Sequence, residues 1–170
     1  MKRLTILRHA KSSWDDASRD DFDRPLNPRG WKDARRVGRE LKQRNMHFDF
    51  GLASPAARVR ETLDGLAKGF GEFTFEIRFE PRVYEASATT LLELVRNLPE
   101  TASDALLVGH NPGLERLVIE LTVPGKLHDE AARKFPTSAV AVMDLSADRW
   151  ADIRPGSGTL TELILAKDLD

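Results

Sequence analysis

The chain has 170 residues, with 26 lysines and arginines against 27 aspartates and glutamates, a formal charge of −1. That balance offers neither a polycation for nucleic acid nor a polyanion for a basic partner. The chain has no cysteine, which removes disulfide frameworks, zinc ribbons, thiolate nucleophiles and iron–sulfur sites, and no apolar run approaches the ~18 residues of a membrane span. The length fits one domain over residues 1–170, burying about 70% of the surface its unfolded chain would expose. Met1-Lys2-Arg3-Leu4-Thr5 meets Arg8-His9 before any apolar core of a secretory signal can form, so a cytoplasmic location is expected.

Leu4-Thr5-Ile6-Leu7 predicts a buried strand that ends at the charged pair Arg8-His9. A helix is predicted from Asn27 to Arg44, with Asn27 as N-cap, Pro28 in the first turn, and Trp31, Ala34, Val37 and Leu41 as its apolar stripe. A strand over Phe48 to Ala53 leads to Ser54-Pro55, read as N-cap and first-turn proline of a helix with Ala56, Val59, Leu63 and Leu66 on its inner face. Phe73, Phe75, Ile77 and Phe79 alternate with polar residues as in a half-buried strand, and Ser87 to Leu98 reads as a helix. Ala105 to Val108 is the next buried strand, ending at Gly109-His110, with a short helix from Pro112 to Leu121. Ala139 to Leu145 and Arg149 to Ile153 then read as two strands joined by a hairpin turn at Ser146-Ala147-Asp148. Alternating strands and helices predict a three-layer α/β/α sandwich around a mainly parallel sheet, antiparallel toward the C-terminus, with its ligand beyond the carboxyl ends of the strands.

Those strand ends hold Arg8, His9, Ser54 and His110, with Arg58 one turn into the second helix. Taken singly, each has an ordinary reading as a surface cation or a strand-end histidine that caps a carbonyl. Together at neighbouring strand ends they can supply the fixed charge, donors and nucleophile that a phosphoryl group requires, and a helix N-terminus adds backbone donors. Two charge clusters stand out, the second of them near this site. Residues 29–44 hold seven basic and two acidic side chains, most simply a solvated helix face and otherwise a docking surface. Asp15, Asp16, Asp20, Asp21 and Asp23 form an acidic loop that could repel unwanted anions or engage a protein substrate.

Three motifs carry a resemblance over about two-thirds of the chain. Leu7-Arg8-His9-Ala10-Lys11-Ser12-Ser13-Trp14, Ser54-Pro55-Ala56-Ala57-Arg58 with Thr62, and Val108-Gly109-His110-Asn111-Pro112 resemble the first-histidine, second-arginine and second-histidine motifs of the histidine phosphatase, or phosphoglycerate mutase-like, superfamily. The short length, Arg24-Pro25-Leu26 and Gly30 before the first long helix are most similar to its SixA-type phosphohistidine phosphatases. The resemblance implies attack on phosphorus by neutral His9, a phosphohistidine intermediate released by water, and phosphate oxygens held by Arg8, Arg58 and His110. Arginine suits this because its planar fork stays charged and pairs with phosphate oxygens. His9 would need a carbonyl to fix its tautomer.

Related enzymes protonate an alkoxide leaving group from a carboxylic acid, and Glu85 is the candidate by position, with Asp15 as runner-up. Glu85 equally suits a place beside a helix N-terminus. Ser12 and Asn111 are candidate donors at the pocket rim. The sequence departs from the superfamily pattern at Ala10, where a glycine is usual, and at Asp15, where mutase-type relatives place an asparagine; a carboxylate there disfavours sugar-phosphate mutation. No cofactor and no metal are expected, because His9, His47, His110 and His128 lack ligand spacing. Dinucleotide and Walker-type loops are absent, and Trp14, Trp31, Trp150 and Tyr84 form no stacking platform for nucleic acid. The expected partner is a phosphorylated protein of the histidine phosphotransfer type. A small phosphate ester or a non-catalytic phosphoprotein-binding role are the alternatives, and the oligomeric state stays open with a monomer compatible.

Overall fold

The computed structural model describes residues 1–169, so only Asp170 of the expected domain lies outside it. Six strands form one sheet in the order β3-β2-β4-β1-β5-β6: β1 (Lys2–Arg8), β2 (Phe50–Ala53), β3 (Glu76–Phe79), β4 (Asp104–Gly109), β5 (Val140–Leu145) and β6 (Gly158–Ile164). The first four strands run parallel, and β5 pairs antiparallel with both β1 and β6. Helices α1 (Pro28–Gln43) and α2 (Ala57–Phe70) cover one face; α3 (Ala88–Arg96), α4 (Gly113–Leu121) and α5 (Lys126–Arg133) belong to the other. The predicted three-layer α/β sandwich is therefore present, with a mixed sheet.

Strand alternation sorts the core into these two faces. Leu4 and Ile6 of β1, Ala105 and Leu107 of β4, and Ala141 and Met143 of β5 pack with α3 and α4. Leu7, Leu106, Val108, Val140 and Val142 point the other way, against Val37 and Leu41 of α1 and Val59, Leu63 and Leu66 of α2. The two covering helices approach closely enough that a Cβ on Gly38 would stand 2.2 Å from the Leu66 carbonyl oxygen. Asn27 caps α1 as expected, accepting the Gly30 N–H at 2.8 Å with Pro28 opening the helix.

Three local expectations are corrected. Arg149 to Ile153 is not a strand: Trp150–Asp152 is a single 3₁₀ turn that buries Trp150 and Ile153, with the Trp150 indole donating to the Ala102 carbonyl at 2.8 Å. Two large apolar residues three apart fit a 3₁₀ turn, where i and i+3 eclipse, better than a strand, where they would face opposite sides. The antiparallel partner of β5 is instead β6. There a bulge moves the register from Val142↔Glu162 to Met143↔Leu160, so Thr161 breaks the period-two pattern that marks a strand in sequence. Ser54 does not cap α2 either; Ala56 occupies that place, and Arg58 is the second residue of the helix. Helix α5 went unpredicted because its eight residues carry only Leu127 and Ala131 on the apolar side.

Candidate active site

The carboxyl ends of β1, β2 and β4 lie side by side, since Arg8 pairs with Gly109 and Ala53 with Val108. Backbone pairing carries this alignment past the strands: His9 N–H donates to the Gly109 carbonyl at 3.1 Å and Ser54 N–H to the Val108 carbonyl at 3.1 Å. His9, Ser54 and His110 are thereby brought to one edge. The His9 and His110 rings are 5.3 Å apart between centroids, and both are nearly buried.

His9 Nδ1 lies 2.7 Å from the Ala10 carbonyl oxygen. A carbonyl only accepts, so Nδ1 carries the proton of the neutral ring and Nε2 keeps its lone pair. Burial is the main reason the His9 pKa falls to about 4 from its ordinary 6.5, with the charges of Arg58, Arg8 and Arg24 acting in the same direction and the Ala10 bond opposing. The carbonyl that the sequence could not supply is thus the next residue's own.

His110 Nε2 lies 2.8 Å from Ser54 Oγ, which accepts the Ala56 N–H at 3.2 Å. When the Ser54 hydroxyl donates to Nε2, the ring proton sits on Nδ1, where it can meet an oxyanion. Burial, then the neighbouring His9 and Arg58, lower the His110 pKa to about 3. Ser54 therefore orients the second histidine rather than capping the helix.

Arg8 donates Nη1 to the Phe135 carbonyl at 3.2 Å, while Arg58 donates Nη1 and Nη2 to the Asp21 carbonyl and carboxylate at 2.7 and 3.1 Å. Among the described residues, five buried side-chain polar atoms lack a partner, and three of them are Arg8 Nε, Arg58 Nε and His110 Nδ1. Buried donors are satisfied almost everywhere in native proteins. Two arginine donors and one histidine ring nitrogen without a protein partner, beside His9, suit an oxyanion, which has the charge and oxygen count to meet them.

Thr62 ties this arrangement together. Its hydroxyl donates to the Arg58 carbonyl at 2.6 Å and accepts the Ala10 N–H at 2.9 Å, joining the end of β1 to the first turn of α2. Ala10 is fully buried, and its methyl packs with Leu26, Ala34 and Trp31. The extra carbon relative to glycine thus serves a small core under α1 and does not crowd the site. Gly30 completes that junction, because a Cβ there would lie 2.1 Å from the Lys11 carbonyl oxygen.

A cavity of about 450 Å³ opens beside these groups, lined among others by Asp21, Arg58, Glu85, His110 and Asn111. Glu85 holds a left-handed backbone with φ of 56° and an exposed side chain. Asp15 is exposed and takes no part in the cavity wall. Asp21, which lines the cavity together with Glu85, is the carboxylate that meets Arg58; sequence reasoning placed it in the acidic loop without singling it out. Its Oδ2 accepts the Tyr84 hydroxyl at 2.6 Å, and Arg24 donates to Oδ1 at 3.1 Å. The Tyr84 bond foremost, then Arg58 and Arg24, draw its pKa down to about 2, so it is ionised at neutral pH. Tyr84, by burial and by facing that carboxylate, is pushed up to about 12.

Ser12 and Asn111 are held more firmly than rim donors need be. Ser12 Oγ accepts Arg24 Nη1 at 2.7 Å, and Arg24 also lies 3.5 Å from the centroid of exposed Trp14. Asn111 donates to the Phe135 carbonyl at 2.8 Å, the same oxygen that takes Arg8, and accepts the Glu115 N–H at 3.3 Å. The Asn111-Pro112 peptide is cis. One group of possible metal ligands exists among the described residues, His47, Asp49 and Asp104, away from this site and with Asp49 already accepting the Ser103 and Asp104 N–H groups. No helix of the described residues is long and apolar enough to cross a membrane.

Comparison with known proteins agrees with this geometry. Residues 4–111 match the family model of the histidine phosphatase superfamily, branch 1, a span that includes the first two motifs and the third as far as Asn111. An uncharacterized protein of Mycobacterium tuberculosis is 34% identical over 158 residues, covering 91% of this chain and 96% of its own. Among solved structures, a protein of Agrobacterium tumefaciens provisionally named phosphohistidine phosphatase SixA superposes with a TM-score of 0.82 at 30% identity, covering 96% of this chain and 97% of that one. A similarly named protein of Nakamurella multipartitia gives 0.83 at 27% identity, covering 96% and 95%. The chain belongs to the histidine phosphatase superfamily, branch 1, and shares its fold with the SixA-type members.

Proposed function

We propose that the protein is a phosphohistidine phosphatase acting through a covalent phosphoryl intermediate on His9. The observation that carries this reading is the set of three partnerless nitrogens, Arg8 Nε, Arg58 Nε and His110 Nδ1, around a histidine whose tautomer leaves Nε2 free. Membership of the superfamily and the likeness to SixA-type structures support phosphatase chemistry.

In this reading the His9 Nε2 lone pair attacks phosphorus in line, and the P–N bond to the substrate imidazole breaks with its electron pair passing to that ring. If the ring already carries a proton on its other nitrogen, it leaves neutral. Arg8, Arg58 and His110 hold the three non-bridging oxygens, whose charge they match. Water then attacks phosphorus, the P–Nε2 bond breaks, and inorganic phosphate leaves with His9 restored. The acid requirement separates substrates. Asp21 is ionised and committed to Arg58 and Tyr84, so no proton comes from it near neutral pH. An amine-type leaving group suits such a site better than an alkoxide.

A second reading, hydrolysis of a small phosphate ester, has one observation in its favour: Glu85 lines the cavity with Arg58 and His110 and could protonate an ester oxygen. The deciding experiment is metal-free phosphate release at neutral pH from a phosphohistidine protein and from an aryl phosphate, by wild type, His9→Ala and Arg58→Ala. Faster release from phosphohistidine is expected. It should fall by about 10³-fold or more in His9→Ala with phosphate binding retained, whereas Arg58→Ala should weaken both, release by about 10²-fold. Preference for the aryl ester, lost in Glu85→Gln, would establish the second reading. Equal, mild effects of both arginine and histidine changes would leave a binding module.

A further inference from the structure

A larger cavity, about 650 Å³, lies on the other side of the segment that braces the site. Among the described residues six cations line it: Arg29, Lys32 and Arg36 of α1, Arg133 and Lys134 at the end of α5, and Lys167 after β6. Among the described residues, three carboxylates, Asp33, Glu130 and Asp168, share its wall. Asp33 is taken up by Arg36 at 3.1 Å and Arg29 at 3.8 Å. Among the described residues, no carboxylate lies within 4 Å of Lys32, Arg133, Lys134 or Lys167, and these four side chains belong to exposed residues. The chain gathers them from three places separated widely in sequence, although its overall charge is −1. A solvated helix face explains the α1 cations alone; it does not explain why α5 and the C-terminal turn add theirs to the same groove.

The groove and the phosphoryl site are separate cavities that share one segment of chain. Lys134, Pro136 and Thr137 form part of the groove's wall, and Phe135 between them accepts Arg8 Nη1 and the Asn111 amide. Next in sequence, Ser138 N–H bonds the Arg8 and His9 carbonyls, each at 3.1 Å. One short segment thus faces the groove on one side and fixes the two signature residues on the other.

We propose that this groove docks an acidic stretch of the polypeptide that carries the phosphorylated histidine, an inference that rests on the reading above. A polypeptide fits better than a nucleic acid for two reasons. Glu130 and Asp168 in the wall would oppose a continuous phosphate backbone, whereas they can meet basic or amide groups of a mixed peptide; and among the described residues no aromatic side chain lines the groove for a base to stack upon. Pro136, Leu165 and Ala166 give the floor apolar surface of the kind a side chain can cover.

The test uses the full chain and its Lys134→Glu/Lys167→Glu variant, two exposed positions outside the site. Two fluorescent peptides, one with histidine flanked by aspartate and glutamate and one with neutral flanks, are titrated by anisotropy, and their phosphorylated forms are assayed for phosphate release. Wild type should bind the acidic peptide more tightly, and the double reversal should cost it about tenfold in affinity and in kcat/KM while the neutral phosphopeptide changes less than about twofold. Raising the salt should narrow the same gap. Equal binding of both peptides, or binding unmoved by the reversal, would overturn the proposal. Tighter, reversal-sensitive binding of an oligonucleotide of matched charge would overturn it in favour of nucleic acid. Charge-sensitive peptide binding with no phosphate release from either phosphopeptide would uphold the groove and overturn the phosphohistidine reading instead.

Discussion

At the scale of single residues, the site is organised by what each polar atom is prevented from doing. His9 keeps its Nε2 lone pair open because Ala10 holds the ring proton on Nδ1, and His110 presents Nδ1 because Ser54 engages Nε2. Arg58 is the exception, since the Asp21 carboxylate already meets one arm of its guanidinium at 3.1 Å. An anion and that carboxylate would compete for the same charge. Asp21→Asn keeps an acceptor for Tyr84 and removes the negative charge, so inhibition by inorganic phosphate should strengthen by about three- to tenfold, a free-energy change of up to ~1.4 kcal/mol. A phosphate Ki unchanged in the variant would show that Asp21 moves aside without cost.

Among the elements, the junction of β1, α1 and α2 decides whether the motifs meet. Thr62 is buried, and its single hydroxyl serves both the Arg58 carbonyl and the Ala10 N–H. Thr62→Val keeps the shape and strands the Ala10 donor in the core, so destabilisation of about 1–3 kcal/mol is expected by urea unfolding. Because Arg58 loses its tether as well, kcat/KM should drop while the far-ultraviolet spectrum stays native. Much of this junction was readable in advance: Asn27-Pro28 announces the start of α1, and the threonine four residues after Arg58 falls on the same helix face. The last strand was not readable, because the bulge at Thr161 interrupts its alternation, and neither was α5, whose apolar face is two residues wide.

The molecule as a whole carries its histidine pair at a cost in acid. Both folded pKa values, about 4 for His9 and about 3 for His110, lie below the ordinary 6.5. Between those limits the unfolded chain binds protons that the folded chain refuses, so stability falls as the pH drops from about 6.5 and stops falling on this account near 4 for His9 and 3 for His110. Asp21 adds to the loss at lower pH, since its folded value of about 2 lies below the ordinary 3.8. Urea midpoints measured from pH 7 to pH 5 should therefore decline in wild type and decline less in His9→Gln and His110→Gln. Equal slopes in all three would contradict the burial of neutral rings.

The sequence by itself determined which chemical groups stand at the strand ends. Apolar runs that stop at Arg8-His9 and Gly109-His110, and a helix start just before Arg58, leave a parallel sheet few other ways to place them. Local signals of this kind depend on neighbours within a few residues. What joins distant parts of the chain was decided only by tertiary structure: Asp21 reaching Arg58, Ser54 turning to His110, the Ala10 methyl entering a small core, and cations from three segments lining one groove. Each is a contact between side chains whose partners are set by packing, and a hydroxyl or carboxylate in a sequence gives no sign of which buried nitrogen it will be brought to face.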